Sequence, residues 1–116
     1  MGKVIALMDD LFFQMKLAET AKQLGVAVKV ATTGEALLSE AKDAPLLVIV
    51  DLNARSGPLE AVKQLRASGN QTRVIGFLSH VQTELAQQAR AAGCDEVMPR
   101  SSFTQNLAAL LAAAKD

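Results

Sequence analysis

The sequence predicts an α/β fold, a single domain built as a doubly wound, five-stranded parallel sheet. Short β-rich runs alternate with longer helical patterns along all 116 residues, which is the signature of repeated βα units. The runs Val4-Ile5-Ala6-Leu7-Met8 and Leu46-Leu47-Val48-Ile49-Val50 are apolar at every position, as strands covered by helices on both faces are. The length suits one domain with a real core and is too short for two.

The elements follow in order. A first strand near residues 3–8 closes on Asp9-Asp10, and a helix near 12–24 starts with Phe12 and Phe13, one ring of which is expected in the core. Gly25 follows that helix, where a left-handed cap needs a residue without Cβ; Gly69 and Gly93 repeat the pattern. A second strand near 26–31 leads through Thr32-Thr33-Gly34-Glu35 into a helix near 34–43, and a third strand near 46–51 ends on Asp51. Pro58 then opens a helix near 58–68, because its missing N–H would have had no intrahelical partner. A strand near 73–78, a helix near 82–92, a strand near 95–98 and a helix near 104–114 complete five units. The alanine-rich helices, with thin apolar stripes, suit close packing on a sheet.

Composition removes several function classes. Twelve basic residues balance twelve acidic ones, which gives no electrostatic case for direct nucleic-acid binding or for an anionic membrane surface. No apolar run approaches the roughly 20 residues of a membrane span, and Met1-Gly2-Lys3 runs into a strand-like segment rather than a signal sequence, so a cytoplasmic protein is expected. Cys94 is the lone cysteine and His80 the lone histidine; an internal disulfide and a cysteine zinc site are excluded. Cys94 reads as a small buried hydrophobe and His80 as a solvated loop residue.

In an open α/β sheet, ligands bind at the carboxyl ends of the strands. Asp9 and Asp10 follow the first strand, Asp51 and Asn53 the third, Ser79 and His80 the fourth, and Arg100 the fifth. Three carboxylates gathered at one end of a sheet raise one another's pKa, which calls for a hard cation. Asp10 and Asp51 can supply oxygen ligands to Mg²⁺, with Asp9 as a direct ligand or acting through a water, and a backbone carbonyl near Asn53 completing the protein's share. Asp51 beside such an ion can attack a phosphoryl group to form an acyl phosphate. Ser79 can hydrogen-bond one phosphoryl oxygen and Arg100 can pair with another. Arg55 and the second phenylalanine ring read as solvated.

These residues resemble the receiver domains of two-component response regulators over essentially the whole chain. The resemblance rests on the acidic pair Asp9-Asp10, Asp51 as phosphoacceptor with Asn53 two residues later, Gly57, the hydroxyl residue Ser79, the cation Arg100, and the stretch Ala91-Ala92-Gly93-Cys94-Asp95-Glu96. It implies a flavodoxin-like sheet of strand order 2-1-3-4-5, a histidine kinase or phosphotransfer protein as donor, and a downstream effector protein as partner. Homodimerisation through the fourth and fifth helices is left open.

The sequence also departs from the family pattern. The family's lysine followed by proline is replaced by Arg100, with Pro99 before it and Ser101 after it. A cis bond before a non-proline residue costs about 2.5–4 kcal/mol, so this corner is expected to be built differently. Val97 occupies the place of a strand-five aromatic, Ala54-Arg55 replaces a Met-Pro pair, and the connection from Ser79 to Gly93 is one residue shorter than usual. The metal-binding half keeps its residues while the switching half departs. A degenerate receiver, acting as a phosphorylation-independent interaction module, is the second reading. A phosphatase or flavoprotein is disfavoured, because Asn53 replaces a second carboxylate and no glycine-rich phosphate cradle follows the first strand.

Overall fold

The computed structural model describes residues 3–79 and 82–114. His80 lies outside the described residues. Five strands, β1 (Val4–Leu7), β2 (Val28–Ala31), β3 (Leu47–Asp51), β4 (Val74–Leu78) and β5 (Glu96–Pro99), alternate with five helices, α1 (Leu11–Leu24), α2 (Gly34–Glu40), α3 (Pro58–Ala67), α4 (Thr83–Ala92) and α5 (Arg100–Ala113). All strands are parallel, in the order β2-β1-β3-β4-β5, so the predicted architecture and strand order hold. Among the described residues, no helix is long and apolar enough to cross a membrane.

Alternation along the strands sorts the core into two layers. Ile5, Leu7, Val48 and Val50 face α2, α3 and α4, where Leu37, Val62, Leu65 and Ala89 cover them. Val4, Ala6, Leu47, Ile49, Ile75 and Phe77 face α1 and α5, where Phe13, Leu17, Phe103, Leu107 and Leu111 cover them. Asp51, two residues beyond Ile49, therefore points to the α1/α5 side, and its register partner on β4 is Phe77.

The caps follow sequence chemistry. Asp10 is the N-cap of α1, its carboxylate accepting from the Phe13 N–H, and Thr33 caps α2 through the Ala36 N–H. Gly25 ends α1 at φ 72°, with its N–H turned back to Ala21 and Lys22. Pro58 is the first residue of α3.

Most boundaries shift by a residue or two, β2 for instance beginning at Val28 rather than 26, and three shifts bear on the packing. The predicted helix over 34–43 divides into α2 and a 3₁₀ turn, Ala41–Asp43, because Ala44 takes a left-handed φ of 54° immediately before Pro45. The third strand begins at Leu47, leaving Leu46 40% exposed. The last helix begins at Arg100, four residues ahead of the expected start, so that Phe103 joins Leu107 and Leu111 in one buried stripe at helical spacing.

Candidate functional site

The carboxyl ends of β1, β3, β4 and β5 bring the singled-out residues together. Asp51 is the last residue of β3 and only 2% exposed. Asp9 and Asp10 lie between β1 and α1, Ser79 directly follows β4, and Arg100 directly follows Pro99, the last residue of β5. All described peptide bonds are trans. Pro99, at φ −62° and ψ 150°, turns the strand straight into the helix, which plants the root of Arg100 at the rim of the sheet.

Each acid commits one oxygen to a backbone N–H. Asp9 Oδ2 accepts from the Arg55 N–H at 3.0 Å, Asp10 Oδ1 from the Phe13 N–H at 3.2 Å, and Asp51 Oδ1 from the Asn53 N–H at 2.9 Å. The second oxygens of two of them face one guanidinium: Arg100 Nη1 donates to Asp10 Oδ2 at 3.3 Å, and Nη2 donates to Asp51 Oδ2 at 3.4 Å. The guanidinium rests over the faces of Phe13 and Phe77, 5.0 and 5.3 Å from the ring centroids, within cation–π range.

The two acids sharing Arg100 titrate in opposite directions. Asp10 is held below the ordinary carboxylate range, chiefly by the Phe13 N–H, with Arg100 adding to the fall and burial opposing it. Asp51 is pushed above that range, chiefly by burial, with the charges of Asp9 and Asp10 adding to the rise; the Asn53 N–H and Arg100 oppose it without cancelling it. Desolvation outweighs the counter-ion at Asp51 because the side chain is almost wholly enclosed.

Ser79 is tied to the site through its backbone: its N–H donates to Asn53 Oδ1 at 2.6 Å, while Asn53 Nδ2 donates to Gln82 Oε1 at 2.9 Å. The Asn53 side chain thus links the loop after β3 to the start of α4. Arg55 meets Asp9 through its main chain.

No family model and no curated protein matches this chain. Solved structures do match. The receiver domain of the Francisella response regulator 1452 aligns at a TM-score of 0.81 and 18% identity, over 98% of this chain and 96% of that one. The signal receiver domain of the putative response regulator NarL from Mycobacterium tuberculosis aligns at 0.78 and 21%, over 97% and 95%. The chemotaxis response regulator CheY4 of Vibrio cholerae aligns at 0.78 and 23%, over 96% and 99%. The chain has the receiver fold. At this level of identity the likeness concerns architecture; the site's chemistry rests on the residues themselves.

Within this receiver fold, the residues that sequence reasoning missed are those that seat Arg100. Phe13, Phe77 and Phe103 form one cluster: Phe77 and Phe103 stack with centroids 4.6 Å apart and 14° between planes, and Phe13 meets both edge-on at 5.1 and 5.8 Å. In sequence one ring of the Phe12-Phe13 pair is expected in the core, and Phe77 and Phe103 are not singled out. The available signal was positional, since Phe77 and Asp51 both fall near the carboxyl ends of their strands and pair in the observed register. Gln82, a polar residue at a helix start, carried no such signal.

The acids suit a small hard cation by their chemistry. No three His, Cys, Asp or Glu side chains among the described residues are grouped to hold a metal, as a calcium cage would require. Magnesium asks for less, because it binds through one or two carboxylates and keeps several waters. Asp10 and Asp51, each with an oxygen free of backbone hydrogen bonds, would be that pair, with Asp9 acting through water.

Proposed function

We propose that this chain is a response-regulator receiver working in the cytoplasm. In this reading it accepts a phosphoryl group on Asp51 from the phosphohistidine of a histidine kinase or phosphotransfer protein and signals through an effector protein. The observation that carries the reading is Asp51 itself: a nearly inaccessible carboxylate at the end of a central strand, flanked by Asp10 and facing a guanidinium.

Burial and the charges of Asp9 and Asp10 push Asp51 above the ordinary carboxylate range in the metal-free chain; in its carboxylate form it is the nucleophile. An Asp51 oxygen attacks phosphorus, the P–N bond to the donor imidazole breaks, and the bonding pair stays on the imidazole nitrogen, which then takes up a proton. Arg100 offers two N–H donors to the oxygens of the transferring group. Ser79, whose N–H is tied to the Asn53 side chain at the end of β4, would offer a hydroxyl to another. Asp10 and Asp51 would hold Mg²⁺, which when bound would neutralise charge on those oxygens. The balanced net charge supports a protein partner rather than nucleic acid or a membrane.

The test is a mass measurement after treatment with a small phosphodonor and Mg²⁺. The native chain should gain one phosphoryl group, Asp51→Asn should gain none, and Asp10→Ala should gain less. An unmodified native protein would leave the chain as an interaction module that keeps only the fold.

A further inference from the structure

The most unusual arrangement in the molecule is the guanidinium of Arg100 shared between two acids and two aromatic faces. Its two terminal nitrogens reach Asp10 Oδ2 and Asp51 Oδ2, in each of these two acids the oxygen not engaged by the Phe13 or Asn53 N–H. A divalent cation on this pair would need the same oxygens. We propose that Arg100 is a tethered cation that competes with the divalent metal, so that metal entry requires the guanidinium to leave Asp10 and Asp51 while staying on its aromatic seat. The inference rests on the phosphoacceptor reading, since it concerns the same carboxylates.

Three features make the exchange feasible. The contacts of 3.3 and 3.4 Å are long for charge-assisted hydrogen bonds, which run about 2.7–2.9 Å, and each acid receives one nitrogen rather than the bidentate fork that holds Arg most firmly. The Arg100 side chain is 36% exposed, so water can solvate the nitrogens as they withdraw. Its other partners, the faces of Phe13 and Phe77, do not depend on the acids and can keep the side chain close by. A doubly charged ion about 2.1 Å from an oxygen has roughly three times the gross Coulomb attraction of a single charge at 3.3 Å. Its dehydration offsets part of that gain, leaving a competition rather than a foregone result.

Direct binding of Mn²⁺ alone, with free ion counted by electron paramagnetic resonance, tests the proposal without any phosphodonor. Arg100→Ala should bind on the order of tenfold more tightly than the native chain. Arg100→Lys, which keeps the charge but cannot bridge both acids, should fall between them. In the unaltered protein, saturation with diamagnetic Mg²⁺ should shift the Arg100 side-chain Nε–H resonance, a readout independent of whether either variant folds. Equal affinities in the native chain and Arg100→Ala would overturn the competition while leaving the phosphoacceptor reading standing. An Arg100 resonance unmoved at saturation, with Arg100→Lys matching the native affinity, would also overturn it by reducing Arg100 to a distant charge. Mn²⁺ binding by none of the three would remove the competition together with the metal, and the phosphodonor mass measurement would then decide the rest separately.

Discussion

Arg66 fills the space that Gly93 leaves. A Cβ built on Gly93 would come within 2.5 Å of Arg66 Cγ, and the same side chain donates from Nε and Nη2 to the Gly93 carbonyl at 3.1 and 2.9 Å. Gly93 also has a φ of 128°, where L side chains are strained. Gly93→Ala should therefore destabilise the fold by about 1–3 kcal/mol, read as a lower denaturant midpoint. In an Arg66→Ala background the cost should shrink as the steric part disappears; an unchanged cost would assign the whole effect to the backbone.

The phenylalanine cluster should carry more stability than any polar contact near it. Phe103 is fully buried and stacked on Phe77. Phe103→Ala should cost about 3–5 kcal/mol in chemical denaturation. A loss under 1 kcal/mol would mean that α5 is not anchored there.

Asn53 joins two loops through its amide alone. Asn53→Ala removes the acceptor for the Ser79 N–H and the donor to Gln82, both at exposed positions, so the global cost should be about 1 kcal/mol or less. The clearer effect should be local: faster hydrogen exchange at the Ser79 amide, with β3 amides unchanged. Equal protection at Ser79 in both proteins would show that the link does not hold the loop.

The lone thiol should be inert in the folded state. Cys94 is buried, and burial pushes its pKa up to about 11, so almost no thiolate exists at neutral pH. A disulfide reagent should modify Cys94 slowly in the native protein and fast in denaturant. Comparable rates would contradict the burial.

Lys3, Glu40 and their neighbours predict a stability plateau in pH. Lys3 Nζ donates to Glu40 Oε1 at 2.9 Å. That bond chiefly lowers Glu40 from 4.5 and chiefly raises Lys3 from 10.5. With its folded value depressed, Glu40 contributes above 4.5 and loses the contribution as pH falls through the folded value. With its folded value raised, Lys3 contributes fully below 10.5 and loses the contribution as pH rises through the folded value. Glu40→Gln should lower the melting temperature slightly between those limits and converge with the native protein in acid. A constant difference across pH would show that the pair does not titrate with folding.

The sheet was legible because its signals are local: unbroken apolar runs marked β1 and β3, and acids marked where they end. The largest boundary shift came where tertiary packing overrode local chemistry. Arg100, Ser101 and Ser102 read as a loop after a proline, yet α5 begins at Arg100 because doing so carries Phe103 into the core. Leu46 read as strand but sits one residue outside the pairing that starts at Leu47. Within the site, the sequence located the acids and the cation on their strands but said nothing of which oxygen each would spend on a backbone N–H. It was equally silent on the aromatic seat, because a phenylalanine facing the core and one supporting a guanidinium look identical along a chain.

The order β2-β1-β3-β4-β5 also settles how the sheet avoids recruiting a sixth strand. Its two borders, β2 and β5, are four residues each, too short to offer a long row of unsatisfied amides. Lys29 projects outward from the middle of β2, 60% exposed along its side chain, and Pro99 closes β5 with no N–H to give. Short length, a charge and a proline are the devices by which such borders discourage edge-to-edge assembly, a safeguard with more to guard against in a chain with half its residues hydrophobic.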